Sequence, residues 1–247
     1  MEKKTSNCNK NTGFTHFISL PFIEADLKTR FESLQKKIYD IFPEPQRKAL
    51  SFTNPNLFHI TLSMLCLTKE SHRLEAEEIF KRSQDSIIKI LSEGKIRLKL
   101  GKVLCFSKKL IKEKNTRKVQ IFKRKNSEEM NKRANSVIYL EILEDENLKK
   151  IMRISHLLIK EFIDKEIIDV SELKAMKVLY DHTIGCFRAE KFHLTLFRVG
   201  EELDYEKMNK EFEGFEFGEI ECGSIDISTR FEFEEDQFYK PLYRIKI

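Results

Sequence analysis

Hydrophobic and polar positions along this chain alternate with two periods. A period of two, the pattern of a half-buried strand, is clearest in two short runs that read almost alike. They are Leu57-Phe58-His59-Ile60-Thr61-Leu62-Ser63 and Lys191-Phe192-His193-Leu194-Thr195-Leu196-Phe197. Successive side chains of a strand point to opposite sides of the pleat. Strict alternation therefore puts Phe58, Ile60, Leu62 and Met64 on one face, and His59, Thr61 and Ser63 on the other. In the second run Phe192, Leu194 and Leu196 share a face, opposite His193 and Thr195. Further strands are expected over 14–21, ending at Pro21, over 96–100 and 136–143, near Ser224 to Phe233 and from Phe238 to Ile247.

The second period is helical. Leu27, Phe31, Leu34, Ile38 and Ile41 predict a helix from Glu24 to Phe42, stopped by Pro43-Glu44-Pro45. Ala76, Phe80, Ile87 and Leu91 predict another over 70–92, with Gly94 as its C′ residue. A third, about Glu146 to Lys165, would bury Leu148, Ile151, Met152, Ile159 and Phe162. Leu173 to Tyr180 reads as a short extra helix, and the polar residues 1–12 as a disordered end. The order of strands and helices around the two similar runs is quasi-duplicated. That predicts one domain over 13–247 built of two lobes, each donating one run to a shared cleft.

Composition narrows the class. Of 247 residues, 40% are apolar and 34% charged, as in a soluble globular protein. No apolar run approaches the 20 or so residues of a membrane span, and the polar start at Met1 has no leader-like apolar stretch. Five scattered cysteines, none in a Cys-x-x-Cys pair, are expected to be thiols in a reducing compartment. The net charge of +5 is unevenly spread: residues 107–133 hold 11 Lys/Arg and three acids, whereas 201–236 hold 14 acids and three bases. This predicts a local anion-binding segment rather than a uniformly basic surface. That basic insert, about 107–134, reads equally well as an RNA-gripping hairpin, a nuclear localisation patch or a solvated loop.

A His two residues before a Thr on a strand presents an imidazole and a hydroxyl side by side. The imidazole exchanges a proton near neutral pH, and the hydroxyl donates to an anionic oxygen. Cleaving a phosphodiester needs a base, an acid and donors for the non-bridging oxygens. Two such pairs match those tasks without a metal or other cofactor.

The two His-x-Thr runs resemble the 2H (two-histidine) phosphoesterase superfamily. Thr15-His16-Phe17-Ile18-Ser19-Leu20-Pro21 and Ile225-Asp226-Ile227-Ser228-Thr229-Arg230-Phe231 are similar to the branch holding the phosphoesterase-like domain of activating signal cointegrator 1 complex subunit 1 and the central domain of the nuclear A-kinase anchoring protein. The resemblance implies a bilobal α+β fold, with two antiparallel sheets facing a central cleft and helices outside. It implies that His59 and His193 are the acid–base pair and that Thr61 and Thr195 grip the phosphate. The residues do not decide which histidine is the base; His193 as base and His59 as acid is the working assignment. The implied substrate is an RNA end, a 2′,3′-cyclic phosphate or a 2′,5′-linked oligonucleotide. The alternative is a non-catalytic RNA-binding or scaffold subunit of a transcription, repair or RNA-processing complex. The expected partners are an RNA or oligonucleotide substrate and, under the alternative, the subunits of a protein complex; the chain itself is expected to be a monomer in the cytoplasm, the nucleus or both, with no membrane contact.

Secondary candidates for substrate binding are Ser63, on the His59 face; Phe17, which packing would also explain; Ser228 and Arg230, Arg230 either holding a second phosphate or making a surface ion pair; and Tyr239 or Tyr243, stacking a base. His16, His72, His156 and His182 read as structural or surface residues, His16 with some claim from its place in the recognised string.

Overall fold

The computed structural model describes residues 13–22, 24–92, 95–106, 136–200, 203, 205–235 and 237–247. The expected N-terminal disorder and the basic insert lie outside them. In chain order the elements are β1 (His16–Pro21), α1 (Ala25–Ile41), α2 (Glu44–Arg47), β2 (Leu50–Phe52), β3 (His59–Leu65), α3 (Glu70–Leu91), β4 (Ile96–Phe106), β5 (Ser136–Ile142), α4 (Glu146–Asp164), β6 (Val178–Asp181), β7 (Cys186–Ala189), β8 (His193–Val199), α5 (Tyr205–Phe212), β9 (Glu219–Cys222), β10 (Ser224–Phe233) and β11 (Tyr239–Lys246).

The α+β class holds. The two expected sheets are halves of one antiparallel sheet of nine described strands, in the order β11-β10-β1-β3-β8-β5-β4-β9, with β2 also pairing β8. The sheet curls into a half-barrel. Among the described residues the two halves meet along β8, where β3 contributes one registered pair, Ile60–Leu194, and β2 three more, from Leu50–Val199 to Phe52–Phe197. This seam, rather than a loop, is where the lobes meet.

Helices cover one side of the sheet because their apolar stripes must be buried. Leu27, Phe31, Leu34 and Ile38 of α1 are buried, and Phe31 meets Phe58 edge-on at 5.0 Å. Phe80 of α3 packs on Phe162 of α4 and on Tyr243 of β11. Each fully buried Leu or Phe of these stripes contributes about 1.5–3 kcal/mol by leaving water.

Two local expectations are corrected. Helix α3 ends on Ser92, which itself takes the left-handed conformation at φ 54°; Gly94 is outside the described residues. The segment 173–180 is not a helix. Asp169 accepts the Ser171 N–H and closes a 3₁₀ turn at Val170–Glu172. Lys177 then turns the chain at φ 60° into the β6–β7 hairpin. No described helix is long and apolar enough to cross a membrane.

Candidate active site

Both His-x-Thr runs begin their strands, and both are positioned in the same way. The residue before each histidine, Phe58 or Phe192, is driven into the core at 1% and 6% exposure. That anchors the backbone so that the carbonyl two residues before the histidine lies at the Nδ1 edge of its ring. His59 Nδ1 is 2.8 Å from Leu57 O, and His193 Nδ1 is 3.0 Å from Lys191 O. A carbonyl only accepts, so in each ring Nδ1 carries the hydrogen. Each Nε2 is left as the nitrogen that can take or give a proton. On the first lobe the carbonyl is set by a 3₁₀ turn, Pro55–Leu57, which the Asn54 side chain caps by accepting the Asn56 N–H.

The seam brings the two runs together. With Ile60 opposite Leu194 in an antiparallel pair, one step either way along the strands sets His59 opposite Thr195 and Thr61 opposite His193. Directly opposed residues share a face, so imidazoles and hydroxyls from both lobes line the side away from the helices. All four are half-buried.

The site is walled by aromatic rings on both lobes. His59 lies 4.9 Å from Phe17 and 5.5 Å edge-on from Tyr239. His193 lies edge-on to Tyr139 at 5.4 Å and to Phe106 at 5.2 Å. Lys191 Nζ donates to Tyr139 Oη at 2.6 Å and sits over both rings of that wall.

This apolar setting governs the charge state. Burial, with a further push from His193, lowers the pKa of His59 to about 4 despite the Leu57 hydrogen bond. Burial also lowers His193, with Lys191 and Arg198 adding to it. Both rings are therefore neutral at pH 7 in the absence of an anion. Among the described residues no three His, Cys, Asp or Glu side chains gather as metal ligands.

A β-bulge follows each threonine, and it reassigns two residues. On β3 Thr61 pairs with Ser19 and Ser63 with Ile18, leaving Leu62 without a counterpart. On β8 Thr195 pairs with Tyr139 and Phe197 with Ile138, leaving Leu196 without one. The extra residue inverts the alternation beyond it. Ser63, expected on the His59 face, is turned to the apolar side beside Ile18, 1% exposed, its Oγ donating to the Met64 carbonyl. It is not at the site. Conversely Arg198, which strict alternation assigns to the apolar face, emerges exposed beside Val137 and Ser51. Its charge acts on His193 and on Tyr239. Sequence reasoning missed it because the bulge, and not the residue order, sets its side.

Of the remaining candidates, Phe17 and Tyr239 are in the cluster, edge-on at 5.0 Å. Ser228 is fully buried, its Oγ 2.9 Å from that of Ser19, so it braces β1 against β10 and is closed to a ligand. Arg230 donates to Phe14 O and lies over Phe231, and its charge acts on Tyr239 rather than on a histidine ring. Tyr243 packs on Phe80. His16 is bonded to Thr15, His156 accepts the Phe187 N–H, and His182 lies against Tyr180; among the described residues these partners, and not His59 or His193, are what the three rings touch. His72 stands near the start of α3, its pKa lowered by burial and by Lys69.

The model of the AKAP7 2′5′ RNA ligase-like domain matches residues 14–247. No curated protein matches the chain in sequence. The crystal structure of TT0787 of Thermus thermophilus is similar over 94% of this chain and 97% of its own, at 15% identity and a TM-score of 0.51. Kluyveromyces marxianus Usb1 with uridine monophosphate covers the same shares at 10% identity and a TM-score of 0.48. By the likeness to TT0787 the half-barrel is a known architecture, and by the match over 14–247 this chain belongs to the AKAP7 2′5′ RNA ligase-like domain family, within the 2H phosphoesterase superfamily.

Proposed function

We propose that the chain is a phosphodiesterase acting on RNA, in which the two histidines perform acid–base catalysis without a metal. Family membership supports the broad class. The observation that carries the mechanism is the seam: the Ile60–Leu194 pair sets the two His-x-Thr runs side by side, which supports one phosphate between the lobes meeting two imidazoles and two hydroxyls.

The roles follow from the surroundings. His59, whose pKa burial lowers further, is the neutral base and takes the proton of the attacking hydroxyl or water at Nε2. His193 gives its Nε2 proton to the departing oxygen. This reverses the working assignment from sequence, because apolar contact is heavier at His59. Thr61 and Thr195 donate to the non-bridging oxygens as charge builds there, and Arg198 adds a cation at the rim. The phosphate itself raises both imidazole pKa values on binding, since an opposite charge favours the protonated ring. That supplies His193 with its proton when substrate arrives.

The test is incubation of purified protein in EDTA with 2′,3′-cyclic nucleotides, 3′-tailed oligoribonucleotides and 2′,5′-oligoadenylate. Turnover of at least one, lost in both His59→Ala and His193→Ala, is expected. No turnover of any, or turnover that survives both substitutions, rejects the reading.

A further inference from the structure

The β10–β11 hairpin carries a feature the reaction above does not use. The first five residues of β10 are buried, but at its far end Phe231 and Phe233 are 72% and 54% exposed. Exposed phenylalanines cost solvation free energy, and two of them on one well-held strand end point to a binding surface. This hairpin is well held. Its register slips between Ser228–Pro241 and Phe233–Tyr239, adding residues to β10. Thr229 Oγ1 ties the slipped stretch by donating to Glu232 O and Lys240 O. The turn is closed by Gln237 N–H to Glu234 O and Glu234 N–H to Phe238 O. Its tip is fastened to the loop that leads into β3, where Asn54 Nδ2 donates to Gln237 Oε1 at 3.1 Å. Asn54 also caps the turn that aims His59, so the hairpin and the imidazole share one anchor.

Phe233 is continuous with the site. Its ring lies 5.3 Å from that of Tyr239 at 32°, and Tyr239 meets His59 at 5.5 Å. Tyr239 and Phe17 thus wall the phosphodiester, and the next ring outward is Phe233, open to solvent. Cations accompany the track: Arg230 lies over Phe231, and the charges of Arg230 and Arg198 both act on Tyr239. Aromatic rings in series beside cations are what a single nucleic-acid strand requires, because every base has a π-face to stack.

We propose that Phe233 is the stacking platform for the base of the nucleotide next to the phosphodiester held between His59 and His193, so that the substrate is a single-stranded oligonucleotide rather than a cyclic mononucleotide. The proposal rests on the site reading above and extends it by one nucleotide. A protein partner would gain the same apolar area but would not explain why the rings run inward to the histidines.

The test uses the full chain and a phosphorothioate-linked trinucleotide that resists cleavage, with affinity read by fluorescence anisotropy. Phe233→Ala is expected to weaken binding about 5- to 150-fold, and Phe233→Trp to preserve it. A trinucleotide with an abasic flanking position should lose a similar factor with the unmodified protein and nothing further with Phe233→Ala. Equal affinity of Phe233→Ala and the unmodified protein for the intact trinucleotide overturns the proposal. So does an equal loss on intact and abasic ligands, or a change confined to self-association in sedimentation. A protein that turns over nothing yet binds with this Phe233 dependence keeps the platform and loses the enzyme.

Discussion

Ile60 pairs with Leu194, and that couple fixes how the two His-x-Thr strands face each other. A slip of one residue at this seam would set histidine against an apolar neighbour instead of threonine, since every side chain would change face. Because the groups then act as a unit on one phosphate, their losses should not add. Thr61→Ala and Thr195→Ala are each expected to lower kcat by about 10²–10³, as removal of an oxyanion donor does. His59→Ala and His193→Ala should each cost about 10²–10⁴. The double histidine variant should be little worse than the poorer single one. Single-turnover rates, with circular dichroism to verify folding, decide the matter; additive losses would mean that the two motifs do not share a phosphate.

The pH profile carries the signature of burial. The pKa of His59 is lowered to about 4 and that of His193 is lowered from its ordinary value. A neutral base and a protonated acid are needed together. The kcat/KM of the free protein should therefore rise through about pH 4 and fall below the ordinary imidazole value of 6.5, giving an acidic optimum. The kcat profile, which reports the complex, should sit at higher pH because bound phosphate favours both imidazolium forms. Lys191→Met removes a cation that depresses His193, so the falling limb of kcat/KM should move to higher pH. A falling limb above pH 7 in the unmodified protein would contradict the assignment.

Much of this was legible in the sequence, for reasons that also explain the exceptions. The period of two located β1, β3, β5, β8 and β10, because one face of each is buried and the other is not. The period of 3.6 located α1, α3 and α4 to within a residue or so of their ends. What alternation cannot register is an inserted residue. The bulges at Leu62 and Leu196 are consequences of pairing with β1 and β5, distant in the chain, and they misplaced Ser63 and concealed Arg198. The seam at Ile60–Leu194 and the burial of Ser228 behind Ser19 are likewise long-range facts. The fold could be read from local pattern, whereas the membership of the site at its margins depended on register.

Arg198 offers a test of that point. It has emerged on the face of His193 solely through the bulge, and it is exposed. Arg198→Gln should raise KM for a phosphodiester about 10-fold, the loss of one charge-assisted contact, with a smaller change in kcat. The salt dependence of log KM should become shallower, since one fewer cation meets the phosphate. An unchanged KM at low salt would place the guanidinium outside the site.

The last prediction concerns stability. Asp226 lies on β10 at 0% exposure, and Arg244 on β11 holds it with Nε 2.9 Å and Nη2 2.8 Å from Oδ2. Arg244 also reaches Glu234 at 3.1 Å, so the pair ties the root of the hairpin to its turn. Burial raises the pKa of Asp226, against the pull of Arg244. Removing the cation leaves a buried carboxylate without its partner, which costs about 3–5 kcal/mol. Arg244→Met should show that deficit in urea unfolding at pH 7. The sign with pH follows from the raised pKa: the folded state binds the proton more readily than the unfolded state, and the variant's folded pKa is higher still. The deficit should therefore shrink as pH falls through that range and Asp226 becomes neutral. Adding Asp226→Asn to Arg244→Met should recover most of the loss at pH 7. If the single variant is destabilised equally at pH 7 and pH 4.5, and the second substitution recovers nothing, then packing of the arginine stem, and not its charge, is what secures the hairpin.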